Sequence, residues 1–181
     1  MEFLGDIPST QEKRKLILVP FFTTICQKFV KKCDDFYFKR SNLNPTGLSR
    51  DDPRFWNAIV QKVVRFHVLL DALDSLFYEI KQIFIDLGLN NVFYDGLEDT
   101  LLEGTITWAP DKDIKEICIR YLNKGNIPPV RTFLLNLKSE SYDTNFLVTS
   151  CIEKELILPL IQICTDKNDF TMPALSMFKS C

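Results

Sequence analysis

One stretch constrains the fold more than any other. After Pro53, no proline or glycine interrupts the chain until Gly88, and Val63, Phe66, Leu70, Leu73, Phe77, Ile80, Phe84 and Leu87 recur in alternating steps of three and four. That spacing is the seam of an α-helix, repeated over more than three heptads. Asp51 or Asp52 can cap it, with Pro53 at the first helical position, where a missing N–H costs nothing. Gly88 supplies the residue that ends it. At 1.5 Å per residue this predicts one helix about 50 Å long. Ile59, Val60, Val64, Val68 and Leu69 widen the apolar stripe, leaving Lys62, Arg65, Asp71, Asp74, Lys81 and Asp86 on a narrower wet side. A two-stranded coiled coil keeps those flanks charged, so the pattern predicts the spine of an intramolecular bundle.

The remaining segments are predicted as further helices. Residues 9–40 carry Leu16, Val19, Phe22, Cys26, Phe29, Val30, Cys33 and Phe36 at helical steps, with Ser9 or Thr10 as N-cap and Pro20 as the site of a kink or break. Ser41–Asp52 is dense in turn residues and reads as a loop. A short helix at Leu97–Glu103 precedes Thr105–Trp108, a weak strand signal without partners. Helices follow from Asp111 to Leu122, closed by Gly125, and over Val130–Leu137. Another starts at Asp143 or Thr144 and is bent by Pro159, and a last one spans Asp169–Cys181. The stretch Ile114–Glu155, with YLNKGNIPPVRTFLLNL followed by FLVTSCIEKEL, resembles in its helix spacing the paired-helix modules of translation factors. It covers under a quarter of the chain, and no function is carried over from it. The expected fold is all-α: a compact bundle of about six or seven helices around one long central helix, with a short solenoid-like C-terminal part. It forms a single domain over 1–181, with halves at 9–88 and 97–181.

The composition suits such a domain. The chain has 181 residues, 46% of them hydrophobic and 25% charged, too apolar for a disordered segment. The N-terminus has no apolar signal core, and the longest uncharged stretch, Leu16–Gln27, is too short to span a bilayer. Cys26, Cys33, Cys118, Cys151, Cys164 and Cys181 include no Cys-x-x-Cys pair, and most sit among aliphatic residues, where a thiol acts as a small hydrophobe. An intracellular protein, cytoplasmic or nuclear, with reduced cysteines is expected.

Chemistry-bearing patterns are scarce. His67 is the single histidine, and it reads as a surface or half-buried helix residue; no nucleophile elbow accompanies it. The six glycines are too far apart for a phosphate-cradling loop. Asp34-Asp35, Asp51-Asp52 and Glu98-Asp99 lack the alternating oxygen spacing of a calcium loop and read as helix-end charges. No catalytic residue, no cofactor and no metal ligand is predicted.

Charge distribution is the one suggestive feature. Residues 1–50 hold nine Lys/Arg against five Asp/Glu, whereas residues 51–181 hold thirteen against nineteen. Within the first helix Lys28, Lys31, Lys32 and Lys39 recur at helical spacing beside Phe36, Tyr37 and Phe38. Three successive rings on a helix point about 100° apart, so one of them faces outward. Trp56 reads as core, and Trp108 as an end plug or an interface anchor. The expected function is a non-catalytic protein-interaction domain, an adaptor or a subunit of a larger complex. It would dock a partner helix or peptide in an apolar groove rimmed by lysines, with Lys28, Lys31, Lys32, Phe36, Tyr37, Phe38, Lys39 and Trp108 as contacts. The alternative is a carrier holding a lipid or other apolar ligand between helices. RNA binding through the lysines and an enzyme with an unfamiliar site rank below both, because arginine is sparse and polar clusters are few.

Overall fold

Helical periodicity in the sequence becomes helix throughout the computed structural model, which describes residues 10–35, 53–138 and 142–166. The architecture is all-α, and the described residues contain no strand. The chain divides into two compact units, Met1–Leu97 and Glu98–Cys181, each with its own buried apolar core. The expected loop over Ser41–Asp52, the capping aspartates Asp51 and Asp52, and the final helix over Asp169–Cys181 lie outside the described residues.

In the first unit, α1 spans Thr10–Asp34 and runs through Pro20. Proline removes the donor that would serve the carbonyl four residues earlier, here that of Leu16. Both residues are exposed, so water can serve that carbonyl and the helix continues rather than breaking. The Thr24 hydroxyl donates to the Pro20 carbonyl at 2.8 Å.

α2 spans Pro53–Leu69, with proline at its first position as expected. The predicted 50 Å rod ends there, at about half its length. Asp71 takes a left-handed φ of 50°, and its N–H reaches the Val68 carbonyl at 3.0 Å, while that of Ala72 reaches His67 at 2.9 Å. This is the Schellman closure, in which a left-handed residue lets two amides fold back onto the last turn. Glycine usually fills that position, but a short polar side chain tolerates the left-handed region, and Asp71 does so here. The seam survives the turn because Val63 on one side and Leu73, Phe77, Ile80 and Phe84 on the other are all buried. The expectation of one continuous helix is corrected to two helices that share one core.

The second of these, α3 over residues 73–86, is α-helical at Leu73–Ser75 and Lys81–Asp86, with a π-helical turn at Leu76–Ile80 between them. The Lys81 amide bonds to Leu76, five residues back. The extra residue in that turn brings Leu76, Phe77, Ile80, Ile83 and Phe84 all inward. Gly88, at φ 73°, ends the helix as predicted, with the Leu89 amide on the Phe84 carbonyl at 2.7 Å. α4 spans Asn90–Asp95. The core between these elements is aromatic: Trp56 meets Phe84 edge-on at 6.2 Å, Phe84 lies 5.7 Å from Phe93, and Phe93 lies 6.2 Å from Phe77. Fully burying each such ring stabilises the unit by roughly 1.5–3 kcal/mol.

The second unit contains α5 (Glu98–Leu102), α6 (Asp111–Asn123), α7 (Ile127–Asn136), α8 (Thr144–Glu153) and α9 (Ile157–Asp166). The segment between α5 and α6 is non-helical, and Ile106 and Ala109 anchor it in the core. One backbone bond, from the Lys138 amide to the Thr107 carbonyl at 2.7 Å, replaces the sheet pairing that a strand there would need. Gly125 closes α6 by the same Schellman pattern. Asp143 caps α8, accepting the Phe146 amide at 3.1 Å. It shares Lys115 with Asp111, at 2.9 and 3.2 Å, which ties the first turn of α6 to the start of α8. The helix expected to bend at Pro159 instead ends earlier: Glu155 adopts a φ of 55° and α9 begins at Ile157. Pro159 thus sits in a first turn, where amides have no intrahelical partner to lose.

Candidate interaction surface

The predicted contact residues fall unevenly in the structure. Lys28, Lys31 and Lys32 are exposed in the last third of α1, in the first unit. Trp108 is half-buried in the non-helical segment of the second unit. Phe36, Tyr37, Phe38 and Lys39 lie outside the described residues.

The apolar feature beside the lysines is on α1 itself. Thr23, Val30, Cys33 and Asp34 are buried, and Phe22 stacks against Phe66 with ring centroids 4.0 Å apart. The Thr23 hydroxyl shares a buried 3.0 Å hydrogen bond with that of Ser75, and Lys15 reaches Asp71 at 3.3 Å. These contacts seat the inner face of α1 against the corner between α2 and α3. The outer face is not polar. Ile17, Phe21, Ile25 and Phe29 are 70, 58, 42 and 52% exposed, and Leu16 adds apolar surface beside the first of them. Side chains four apart on a helix stand one above another, so these four form a continuous oblique ridge about 18 Å long. The largest contiguous apolar patch on a monomer is often a contact site.

Sequence reasoning placed Leu16 and Phe29 on the inner stripe and passed over Ile17, Phe21 and Ile25. The signal was present: α1 carries a second row of large apolar residues at a step of four. A helix apolar on two sides is either enclosed or offers one side to something else.

His67 corrects another expectation. It is fully buried rather than at the surface. Its Nδ1 donates to the Val63 carbonyl at 2.8 Å, because a carbonyl can only accept, and Nε2 is left as a lone-pair nitrogen with no partner among the described residues. Burial pushes its pKa below the ordinary value of 6.5, while the Val63 bond and the charges of Glu79 and Asp74 act in the opposite direction. The imidazole is neutral and sealed from solvent. Cys118 and Cys151 are likewise buried, and burial raises both thiols to about 12. Among the described residues no three His, Cys, Asp or Glu side chains gather as a metal site would require, and no helix is long and apolar enough to cross a membrane.

In the second unit, Ile157, Leu158 and Ile161 expose apolar surface on α9. No comparable row of exposed cations accompanies them along that helix, whose charged residue is Asp166. Comparison with family models, with curated proteins and with solved structures finds no match to this chain.

Proposed function

We propose that this chain is a protein-interaction module, an adaptor or a subunit of a larger assembly, and that the outward face of α1 is its contact surface. One observation supports the reading above others: the ridge Ile17–Phe21–Ile25–Phe29 stays in water while the same helix buries a separate face in the core. Hydration of that ridge is unfavourable by roughly 25 cal/mol per Å² of apolar area, a cost that contact with a partner removes. Lys28, Lys31 and Lys32 beside it provide orientation and rate of encounter more than affinity.

The test is a pair of surface variants, Phe21→Asp with Phe29→Asp, and the triple reversal Lys28→Glu, Lys31→Glu, Lys32→Glu. Each is checked for folding by circular dichroism and expressed in cells of the native source. On gel filtration of the extract, the wild-type chain is expected to elute well above its monomer mass. Both variants are expected to shift to the monomer with unchanged melting. Variants that remain in the heavy fraction would remove α1 as the contact surface.

A further inference from the structure

The chemistry of α1 also names the class of segment that covers it, an inference that rests on the reading just given. We infer that the outward face of α1 takes an acidic amphipathic helix, laid across the ridge Ile17–Phe21–Ile25–Phe29 with its carboxylates over Lys28, Lys31 and Lys32.

Shape selects a helix. The ridge is a row of residues four apart, and the adjoining row is Pro20, Thr24, Lys28 and Lys32. Pro20 and Thr24 are small, and the Thr24 hydroxyl is already bonded to the Pro20 carbonyl, so the shallow trough between the rows makes no polar demand on an occupant. A four-apart row on a second helix fits that trough, at a crossing angle near −50°. An extended segment fits poorly. It must satisfy its own backbone amides and carbonyls, and a helix flank, unlike a sheet edge, has no row of free partners to give it. A helical partner arrives with those groups already paired.

Charge selects an acidic one. Around the axis Lys28 lies about 20° from Ile17 and one residue before Phe29, and Lys32 follows Phe29 by three residues, so the cations stand at the C-terminal end of the ridge. Of the two acids that follow, Asp34 is buried and Asp35 sits at the far end. Any occupant that covers the ridge also covers these cations, and carboxylates are what offset their loss of water. A second copy of this chain is disfavoured by the same geometry. Paired parallel, the Lys28–Lys32 end meets its own equivalent. An anionic bilayer is disfavoured because the chain as a whole carries a net charge of −2.

A displayed library of helical peptides, with the apolar row held constant and the flanking positions randomised over Asp, Glu, Lys, Arg, Ser and Ala, tests this on the whole chain. Wild type is expected to enrich peptides rich in Asp and Glu. Their affinity should fall about tenfold for Lys28→Glu, Lys31→Glu, Lys32→Glu, and likewise on raising salt. It should be lost in Phe21→Asp and in Ile25→Ser, two exposed positions whose folding is checked by circular dichroism. Peptides that need Phe21 but show no acidic bias overturn the partner class and leave the surface standing. Peptides indifferent to Phe21 and Ile25 overturn the surface itself. No enrichment, or stronger retention on vesicles of phosphatidylcholine and phosphatidylserine in equal parts than on any peptide, overturns the proposal.

Discussion

His67 shows how much one residue's surroundings decide. Its imidazole is neutral in the fold and Nε2 has no hydrogen-bond partner among the described residues, so a proton added there would be a buried charge that Glu79 and Asp74 offset only in part. The folded pKa lies below the unfolded value of 6.5. The unfolded chain therefore takes up the proton first as pH falls. The stability associated with His67 is complete above that value and declines below it, until the folded state also protonates. Urea melts followed by the fluorescence of Trp56 in a Trp108→Phe background are expected to lose stability between about pH 6.5 and 5, above the carboxylate range. The His67→Leu variant should show a flatter profile over that interval; an unchanged slope would assign the loss to other groups. Cys118 and Cys151, raised to about 12 by burial, hold almost no thiolate at neutral pH. An aromatic disulfide reagent should leave both unmodified in the native chain and label them only once the second unit opens.

At the scale of elements, the helix ends separate what was legible from what was not. Gly88 and Gly125 announce their own closures, because glycine enters the left-handed region without a steric penalty. Asp71 and Glu155 close helices in the same geometry and give no such notice, since nothing in their composition separates them from ordinary surface acids. That is why the Pro53–Leu87 seam read as one rod, and why Pro159 read as a bend rather than as part of a new first turn. Helix identity and inward faces were readable from spacing, whereas direction changes at non-glycine residues were not. The same physics predicts that Asp71→Gly and Glu155→Gly each stabilise the protein by about 1 kcal/mol in thermal or denaturant melts, by removing the strain of a side chain at positive φ. The surface pair with Lys15 that Asp71 loses offsets little of this. Gly96 behaves in the opposite way. Its φ is ordinary, but a Cβ there would overlap the side chain of Val60, which is itself buried and has nowhere to move. Gly96→Ala is expected to destabilise by about 1–3 kcal/mol through overpacking. The candidate surface was half legible by the same logic: the lysines were visible as a periodic stripe, but of the apolar ridge only Phe29 entered the predicted stripe, because spacing says which side chains share a face and not which face is covered.

For the molecule as a whole, the seating of α1 implies that stability is unequal within the first unit. Trp56, Val60 and Val64 from α2, and Leu76, Phe77, Ile80 and Phe84 from α3, are almost wholly enclosed, while the described part of α1 contributes Val30 and Cys33 to the apolar core. Its interior also lacks one backbone hydrogen bond, at Pro20. An element held by so few enclosed side chains detaches at a lower free energy than the core it covers. In native-state hydrogen exchange, the amides of residues 15–34 should therefore exchange through opening events that leave α2 and α3 protected. An occupant of the ridge would close that route in proportion to its concentration over its dissociation constant. The slowing of exchange in α1 then measures binding from inside the fold, with no need to label either molecule.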